Sequence, residues 1–349
     1  MHRILITGGT GFIGSHTCIS LLSEGYDLVV VDSLKNSTKK SLEKIKKIFK
    51  KDNKDISSNL KFFEGDLKNK EFIDNIFKNA QKDDNPIKGV IHFAGLKAVA
   101  ESVSKPLLYW NNNVIGSYNL IKSMEENNCR TIVFSSSATV YGNNSKDLLG
   151  EDSALGPTNP YGTTKLTVER LLNDVYQTTN ENWKIAILRY FNPIGAHKSG
   201  LIGENPLQKP NNIFPIIINS AYTKKKLRVF GNDWDTFDGT CIRDYIHVMD
   251  LADGHLKALD FLIKNKPKIL TLNIGTGRGS SVLELIKTFE DVNKTQVPFE
   301  FSERRDGDVC QLVADNRKAK SILNWSPSKS LKEMCIDGWK WKKNNVDGY

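Results

Sequence analysis

A tyrosine and a lysine separated by three residues, Tyr161 and Lys165, form the chemically most suggestive pair in the sequence, and Ser137 precedes them. A phenol is a weak base, with a pKa of about 10 in water. On one helix a lysine one turn after a tyrosine faces it, and its charge favours the phenolate. Ser137 can orient a substrate hydroxyl beside that phenolate. The same spacing also occurs in exposed surface pairs, but together the three residues predict proton exchange with an alcohol.

Such a site needs a hydride acceptor, and a glycine-rich segment near the start of the chain predicts one. Gly8, Gly11 and Gly14 are spaced GxxGxxG between a predicted strand and a predicted helix. Glycines there let the backbone approach a pyrophosphate, which the free amides of a helix N-terminus bind. Asp32 ends the next predicted strand, and its carboxylate can bind both adenosine ribose hydroxyls but repels a 2′-phosphate. The sequence therefore predicts NAD, and not NADP, as the cofactor.

Two further segments are predicted to lie beside the cofactor. Asp66 follows the third predicted strand, where it can bind the adenine or, alternatively, cap the next helix. Residues 92–97 follow the fourth strand. They are expected along the carboxyl edge of the sheet, where ligands of such folds bind.

The first half of the chain alternates short β-branched segments with helical ones. Strands are predicted at 3–7, 27–31, 60–64, 89–92, 131–135 and 185–189, and the longest helices at 106–126 and 161–176. This rhythm predicts an α/β fold with a doubly wound, mainly parallel Rossmann-type sheet. After Pro193 the alternation lapses and glycine and proline become frequent. We therefore predict a NAD-binding domain over residues 1–193 and a smaller α/β substrate domain over 194–349, from which some segments return to the first.

The composition sets further limits. Of the 349 residues, 39% are hydrophobic, enough for a large core, and no apolar run approaches the length of a membrane span. The net charge of +9 comes largely from lysines interleaved with polar residues, as on solvated surfaces, so nucleic-acid binding is not expected. Five cysteines without a CxxC pair predict neither a disulfide framework nor a metal site. The chain begins directly with a strand, so we expect a cytoplasmic protein.

Six segments can be compared with known families: TGGTGFIGSH, FAGLKAVAESV, SSSATVYG, PYGTTK, RYFNPIGAH and IRDYIHVMDLADGH. Together they resemble the UDP-galactose 4-epimerases of the extended short-chain dehydrogenase/reductase family, and the resemblance runs from the first strand to the C-terminal helix. It implies that Tyr161 takes the proton of the sugar 4-hydroxyl while hydride passes from carbon 4 to a tightly held NAD. The 4-keto sugar then turns over and hydride returns to its other face. UDP-glucose and UDP-galactose would thereby be interconverted.

The resemblance also implies further site residues. On the cofactor side these are Phe12, Ile13, Ser33, Asn36, Ser37, Leu67, Phe93, Ala94, Gly95, Lys97, Asn112, Ser135 and Phe191. On the UDP-sugar side they are Lys97, Asn192, Asn212, Ile213, Arg228, Val229, Phe230, Arg243, Arg305, Asp308 and Leu312. Arg243 and Arg305 would clamp the diphosphate, to which arginine offers charged bidentate donors, and Asp308 would bind the uridine ribose. A homodimer is implied as well, with the two long helices at its interface, although their apolar faces could equally pack within one chain.

Leu312 bears on the range of substrates. Narrowly specific bacterial epimerases of this family carry at that place a tyrosine that closes the sugar pocket, and members with a small residue there accept N-acetylated sugars. Leucine is intermediate in bulk. We therefore expect UDP-N-acetylglucosamine and UDP-N-acetylgalactosamine to be interconverted as well.

Two other functions would use the same fold. A nucleotide-sugar 4,6-dehydratase or a UDP-glucuronate decarboxylase shares the cofactor and the tyrosine–lysine pair. Dehydratases, however, carry Asp-Glu directly after the catalytic hydroxyl residue, where this chain has Ala138 and Thr139. A non-catalytic NAD-binding sensor typically loses the tyrosine or the lysine, and this chain keeps both.

Overall fold

A parallel sheet of seven strands lies at the centre of the computed structural model, which describes residues 2–144, 148–178, 182–207, 210–305 and 307–349. In chain order the strands are β1 (Arg3–Thr7), β2 (Asp27–Asp32), β3 (Leu60–Glu64), β4 (Ile87–His92), β5 (Thr131–Ser137), β6 (Lys184–Tyr190), β7 (Asn192–Ile194), β8 (Leu227–Phe230), β9 (Ile242–His247), β10 (Lys268–Ile274), β11 (Gly279–Ser281), β12 (Phe299–Ser302) and β13 (Gln311–Leu312). The central sheet has the order β10-β6-β5-β4-β1-β2-β3. All six strands predicted in the first half form, and the predicted fold class is confirmed.

The α-helices of the chain lie on both faces of this sheet and in the second half of the chain. In chain order they are α1 (Phe12–Ser23), α2 (Lys40–Lys51), α3 (Lys70–Lys82), α4 (Val99–Ser104), α5 (Pro106–Tyr109), α6 (Gly116–Glu126), α7 (Pro160–Thr178), α8 (Ile213–Thr223), α9 (Val248–Lys264), α10 (Val282–Asn293), α11 (Arg317–Leu323) and α12 (Leu331–Asn344). A π-helical turn, Trp110–Ile115, joins α5 to α6, so the helix predicted over 106–126 is not uniformly α-helical. Short 3₁₀ turns lie at Ser57–Asn59 and Ala138–Tyr141.

The strand sequences explain why both faces are covered. Successive side chains of a strand point to opposite faces. In β1, Ile4 and Ile6 pack in a cluster with α1, α2 and α9, while Leu5 packs in a second cluster with α3, α6 and α7. All five residues of β1 are buried, as expected of a parallel strand with helices on both sides.

The second half of the chain builds smaller sheets and also completes the large one. β7, β9, β11 and β13 form one small sheet, and β8 pairs with β12. The helices α8, α10 and α12 share a core there that includes Phe214, Phe289 and Met334. The seventh strand of the central sheet, β10, also comes from this half, and it pairs with β6. The division of the chain at 193/194 itself stays a prediction. Within the described residues, no helix has the length and apolar character needed to cross a membrane.

Candidate active site

The glycine-rich turn brings the start of α1 against the end of β4. Gly8 has a φ of +71°, and a Cβ there would lie 2.7 Å from the backbone nitrogen of Ala94. A Cβ on Gly14 would lie 2.4 Å from the carbonyl oxygen of Gly8. Gly11 precedes α1, and its backbone nitrogen donates to the Gly8 carbonyl at 3.2 Å. Glycine is therefore required at Gly8 and Gly14, and the free amides of α1, with Phe12 and Ile13 in its first turn, lie at the carboxyl edge of the sheet.

Asp32 is fixed directly beside this turn. Its Oδ2 accepts a hydrogen bond from the backbone nitrogen of Thr10 at 3.2 Å. Its Oδ1 accepts from the backbone nitrogen of Leu34 at 3.0 Å and from the Ser37 hydroxyl at 2.9 Å. The carboxylate is thus oriented by the loops that follow β1 and β2. This is the placement that binding of an adenosine ribose requires.

The Lys35 side chain contacts both Asp66 and Asn112. Lys35 Nζ lies 2.7 Å from Asp66 Oδ2 and 3.5 Å from Asn112 Oδ1. Partial burial acts to raise the pKa of Asp66, but the hydrogen bonds and charges of Lys35 and Lys68 hold it below its usual value. Asp66 does not cap α3, because Asn69 is the N-cap residue and accepts from the backbone nitrogen of Phe72 at 3.1 Å. The helix-capping alternative for Asp66 is therefore wrong.

Lys165 is buried under the end of β5. Its Nζ donates to the carbonyl oxygen of Ser135 at 2.7 Å and lies 5.0 Å from the centre of the Phe134 ring. Burial lowers the pKa of Lys165 to about 8, although the negative charge of Glu169 acts to raise it. The ammonium group is thus held at the edge of the sheet where the cofactor residues converge.

Tyr161 and Ser137 form the hydrogen-bonded pair of the site. Burial raises the pKa of Tyr161, and its side-chain hydrogen bond with Ser137 opposes that rise. Ser137 in turn accepts from the backbone nitrogen of Thr139 at 3.2 Å and from its hydroxyl at 3.0 Å. The chain alone therefore keeps Tyr161 protonated at neutral pH. A further positive charge is needed to make the phenol a base.

Asn113 is a buried residue of this site that the sequence analysis missed. Its Oδ1 accepts from the backbone nitrogen of Leu96 at 2.8 Å, and its Nδ2 donates to Leu96 O at 3.0 Å and to Thr164 Oγ1 at 3.1 Å. Thr164 donates to the carbonyl of Tyr161 at 2.7 Å. Asn113 thus connects the loop after β4 to the first turn of α7. Its only sequence signal is its position as the last of three consecutive asparagines.

A buried ion pair supports the same strands and was also missed. Arg189 Nη2 lies 2.6 Å from Glu169 Oε2, and both side chains are almost inaccessible. Glu169 also accepts from the Ser136 hydroxyl, and Arg189 Nη1 donates to the Tyr141 hydroxyl at 3.1 Å. The pair therefore joins β5, β6 and α7 beneath the catalytic residues. Glu169 follows Lys165 by one helical turn, a spacing from which it could have been suspected.

The predicted diphosphate residues lie together on β9 and the segment before β13. Arg243 Nη1 donates to the carbonyls of Ile242 and Val309, both at 2.8 Å. Its Nη2 lies 3.7 Å from Asp308, and Arg305 Nη2 lies 2.8 Å from the same carboxylate. Asp306, also in this segment, lies outside the described residues. The guanidinium groups of Arg243 and Arg305 thus both lie beside the carboxylate of Asp308.

Leu312 connects this group to the catalytic residues. It pairs with Arg243 in the small sheet and packs against a buried cluster that includes Ala138, Leu166 and Phe191. Ala138 follows Ser137 directly, and Leu166 follows Lys165. Leu312 therefore lies between the arginines and the Ser137 segment, where a sugar held by both would be found.

Six of the other predicted residues fall into three groups. Lys97 and Asn212 meet at one carboxylate, Glu204. Asn192, at the start of β7, has a buried Oδ1 without a partner among the described residues. On β8, Phe230 lies 5.6 Å from the Arg305 guanidinium, whereas Arg228 is 69% exposed with Glu300 at 3.9 Å and Val229 is a buried core residue. Val229 therefore has no free side chain to offer a ligand, whereas Phe230 is exposed beside Arg305.

Comparison with known proteins relates the whole chain to one family. A family model described as GDP-mannose 4,6 dehydratase matches residues 5–337. The UDP-glucose 4-epimerase of Bacillus subtilis is 50% identical over 347 residues, which cover 99% of this chain and 98% of that protein.

Solved structures agree with the sequence comparisons. The UDP-glucose 4-epimerase of Bifidobacterium longum, in complex with NAD+ and UDP, has a TM-score of 0.92 at 41% identity and covers 99% of this chain and 100% of that one. The UDP-Glc/GlcNAc 4-epimerase of Campylobacter jejuni has a TM-score of 0.82 at 34% identity, with coverage of 99% and 100%. The chain, with its tyrosine–lysine–serine site at the edge of a Rossmann-type sheet, belongs to the UDP-glucose 4-epimerases of the extended short-chain dehydrogenase/reductase family.

Proposed function

We propose that this chain is an NAD-dependent enzyme that interconverts UDP-glucose and UDP-galactose by inverting carbon 4 of the sugar. The observation that carries the proposal is the hydrogen-bonded Tyr161–Ser137 pair beside the buried Lys165 ammonium. This group lies between a glycine turn suited to a dinucleotide and a pair of arginines suited to a diphosphate. The relatives that act on UDP-glucose support the same conclusion.

Each residue of the site has a separate role in the proposed reaction. NAD, held at the glycine turn with Asp32 on its ribose, supplies the acceptor and later the donor of the hydride exchanged with carbon 4. Ser137 forms a hydrogen bond with the sugar 4-hydroxyl, and Tyr161 removes the proton of that hydroxyl. Lys165 stabilises the phenolate electrostatically. After the 4-keto sugar has turned over, carbon 4 receives the hydride on its other face and Tyr161 returns the proton to the 4-oxygen.

Rotation of the sugar requires firm binding elsewhere in the substrate. Arg243 and Arg305 offer charged donors to the diphosphate, and each already lies beside Asp308. The Leu312 side chain packs among apolar residues and offers the sugar no hydrogen bond, so the hexose would be able to change its orientation. The nucleotide would therefore stay bound while the hexose turns.

The Tyr161→Phe variant tests this proposal. The variant should lose turnover of UDP-galactose by about 1,000-fold or more, because it lacks the hydroxyl that exchanges the proton. Its NAD content should equal that of the wild type. Tyr176→Phe, a change on the same helix, is the matched control and should retain activity. Full turnover by Tyr161→Phe would contradict the proposal.

The dehydratase alternative has no acid or base at the necessary place. Ala138 is buried, and the backbone nitrogen and hydroxyl of Thr139 both bind Ser137. The product of the wild-type enzyme should therefore have the same mass as its substrate. A product lighter by one water molecule in mass spectrometry would favour the dehydratase.

We also propose that N-acetylated UDP-hexoses are substrates. Leu312 is partly buried by Ala138 and Phe191 and leaves more room than the ring of a tyrosine. In a substrate panel, Leu312→Tyr should lose conversion of UDP-N-acetylglucosamine and retain conversion of UDP-glucose. The Leu312→Met variant, similar in volume, should convert both pairs. Failure of the wild type to convert the N-acetylated pair at high enzyme concentration would refute this proposal.

A cytoplasmic homodimer is the assembly that we propose. Apolar side chains are exposed along the helical segment before β5, including Val103 at 63%, Leu107 at 82% and Ile115 at 48%. A second copy would cover such a surface. Sedimentation should show a dimer that Leu107→Asp weakens. A wild-type monomer at micromolar concentration would refute the proposed dimer.

The five cysteines, all free thiols, suit a reducing compartment.

A further inference from the structure

Glu204, in the loop between β7 and α8, joins two residues that are proposed to bind the substrate. Its Oε1 accepts from Lys97 Nζ at 3.0 Å and from Asn212 Nδ2 at 3.0 Å. Lys97 comes from the loop after β4, and Asn212 precedes α8. The carboxylate therefore ties the cofactor side of the site to the second half of the chain.

The other oxygen of this carboxylate has no visible role in folding. The Glu204 side chain is 9% exposed, and its Oε2 is buried without a hydrogen-bond partner among the described residues. A buried, unpartnered carboxylate oxygen destabilises the folded chain. Unsatisfied groups of this kind in native proteins call for a functional explanation.

The backbone of Glu204 is held so that its side chain has little freedom. Trp341 Nε1 donates to the Glu204 carbonyl at 3.2 Å. The preceding residue, Gly203, exchanges two hydrogen bonds with the Tyr349 hydroxyl, at 3.2 and 3.1 Å. A Cβ on Gly203 would lie 2.4 Å from Trp341 Cγ. The C-terminal segment therefore fixes the place of the carboxylate.

We propose that Glu204 is a positioning residue for the UDP-hexose. Its negative charge holds the Lys97 ammonium and the Asn212 amide in one fixed arrangement, so that both face the bound substrate. Without the carboxylate, Lys97, whose side chain is 50% exposed, would move into solvent. The inference rests on the proposed function for the identity of the ligand.

A double-mutant cycle tests the inference. Glu204→Gln keeps the shape of the side chain and one acceptor oxygen but removes the charge. In the NAD-loaded protein it should weaken binding of UDP-glucose, measured by calorimetry, about 10-fold. It should raise KM by a similar factor while kcat changes by less than about threefold. In a Lys97→Met/Asn212→Ala background the same change should weaken binding by less than about twofold.

Glu333 provides the control for this test, and the same binding and stability measurements can contradict the inference. Glu333 forms an ion pair with Lys329, also at 3.0 Å, in the cap of α12 and outside the proposed site. Glu333→Gln should lower thermal stability without changing the affinity for UDP-glucose. If Glu204→Gln lowers only thermal stability, or keeps its full effect in the double-variant background, the inference is wrong. Calorimetry does not require turnover, so wild-type protein that binds UDP-glucose but does not epimerise it would refute the proposed function alone.

Discussion

Lys165 shows how burial adjusts the pKa of a residue that is proposed to act in catalysis. In water its ammonium would hold its proton far above neutral pH, but burial lowers the pKa of Lys165 to about 8. The carbonyl of Ser135 and the face of Phe134 keep the ammonium oriented. Tyr161 changes in the opposite sense, because burial raises the pKa of its phenol. A positive charge near the phenol is therefore what separates an inert tyrosine from a base.

Lys165 is one source of that charge in the proposed mechanism, and its removal should shift the pH profile of the enzyme. Below about pH 8, where Lys165 keeps its charge, activity of the wild type should rise with pH as Tyr161 loses its proton. In Lys165→Met the pKa of Tyr161 should rise further, and the rising limb of kcat should move to higher pH by about one unit or more. Steady-state rates between about pH 6 and about pH 10 would show the shift. Lys184→Met, outside the proposed site, is the control, and an unmoved limb in Lys165→Met would contradict the assigned role.

At the scale of elements, the π-helical turn Trp110–Ile115 sets the position of the catalytic helix. Such turns insert one residue into a helix and often lie at functional sites. Here the turn places Asn113 inside the molecule, where its amide binds both Leu96 and Thr164. The first turn of α7, with Tyr161, is thereby held against the loop after β4.

Asn113→Ala should damage both stability and activity. The change leaves the half-buried backbone nitrogen of Leu96 without its acceptor and empties the buried place of the Asn113 amide, which should lower the free energy of unfolding by about 2–3 kcal/mol. Urea unfolding would measure the loss, and kcat should fall as Tyr161 shifts. Asn111→Ala, two positions earlier and exposed, should change neither quantity. Equal behaviour of the two variants would show that the turn does not position α7.

The elements that the sequence could predict are those with local causes. The strands follow from short β-branched runs, and the turn after β1 follows from glycines whose missing side chains are needed for close packing, as at Gly14. The π-helical turn, the Glu169–Arg189 pair and the meeting at Glu204 depend on residues far apart in the chain. The spacing of Glu169 from Lys165 could mark Glu169 as a candidate, but no local pattern identifies Arg189 as its partner. Asp66 illustrates the limit, because only the structure shows that Asn69 caps α3 instead.

At the scale of the whole molecule, buried histidines make the fold sensitive to acid. Burial lowers the pKa of His16 and His92 to about 3 and of His197 and His255 to about 4. Each is below the usual value of about 6.5, so the unfolded chain binds protons more readily than the folded one. Asp244 acts in the opposite sense, because burial raises its pKa. The histidines are more numerous, and their net effect is destabilisation as the pH falls.

Acid unfolding should therefore begin below about pH 6. As the pH falls below about 6, each buried histidine should lower the free energy of unfolding by about 1.4 kcal/mol per pH unit, until the pKa of that histidine in the folded protein is reached. The four together should lower it by about 5 kcal/mol per pH unit. Urea unfolding monitored by circular dichroism between about pH 7.5 and about pH 5 would measure this slope. His255→Phe should reduce the slope by about one quarter, whereas a change of the exposed His2 to Gln should not. A stability independent of pH in this range would contradict the prediction.

The position of β10 has a consequence for how the chain folds during synthesis. This strand, Lys268–Ile274, borders β6, and α9 packs with α1 in the same core. Until residue 274 has left the ribosome, β6 is an edge with unpaired backbone groups, and such edges recruit strands of other chains. A nascent chain that already contains Tyr161 and Lys165 therefore still lacks the strand that borders β6 in the complete sheet. Protection by a chaperone should matter most over that interval of translation.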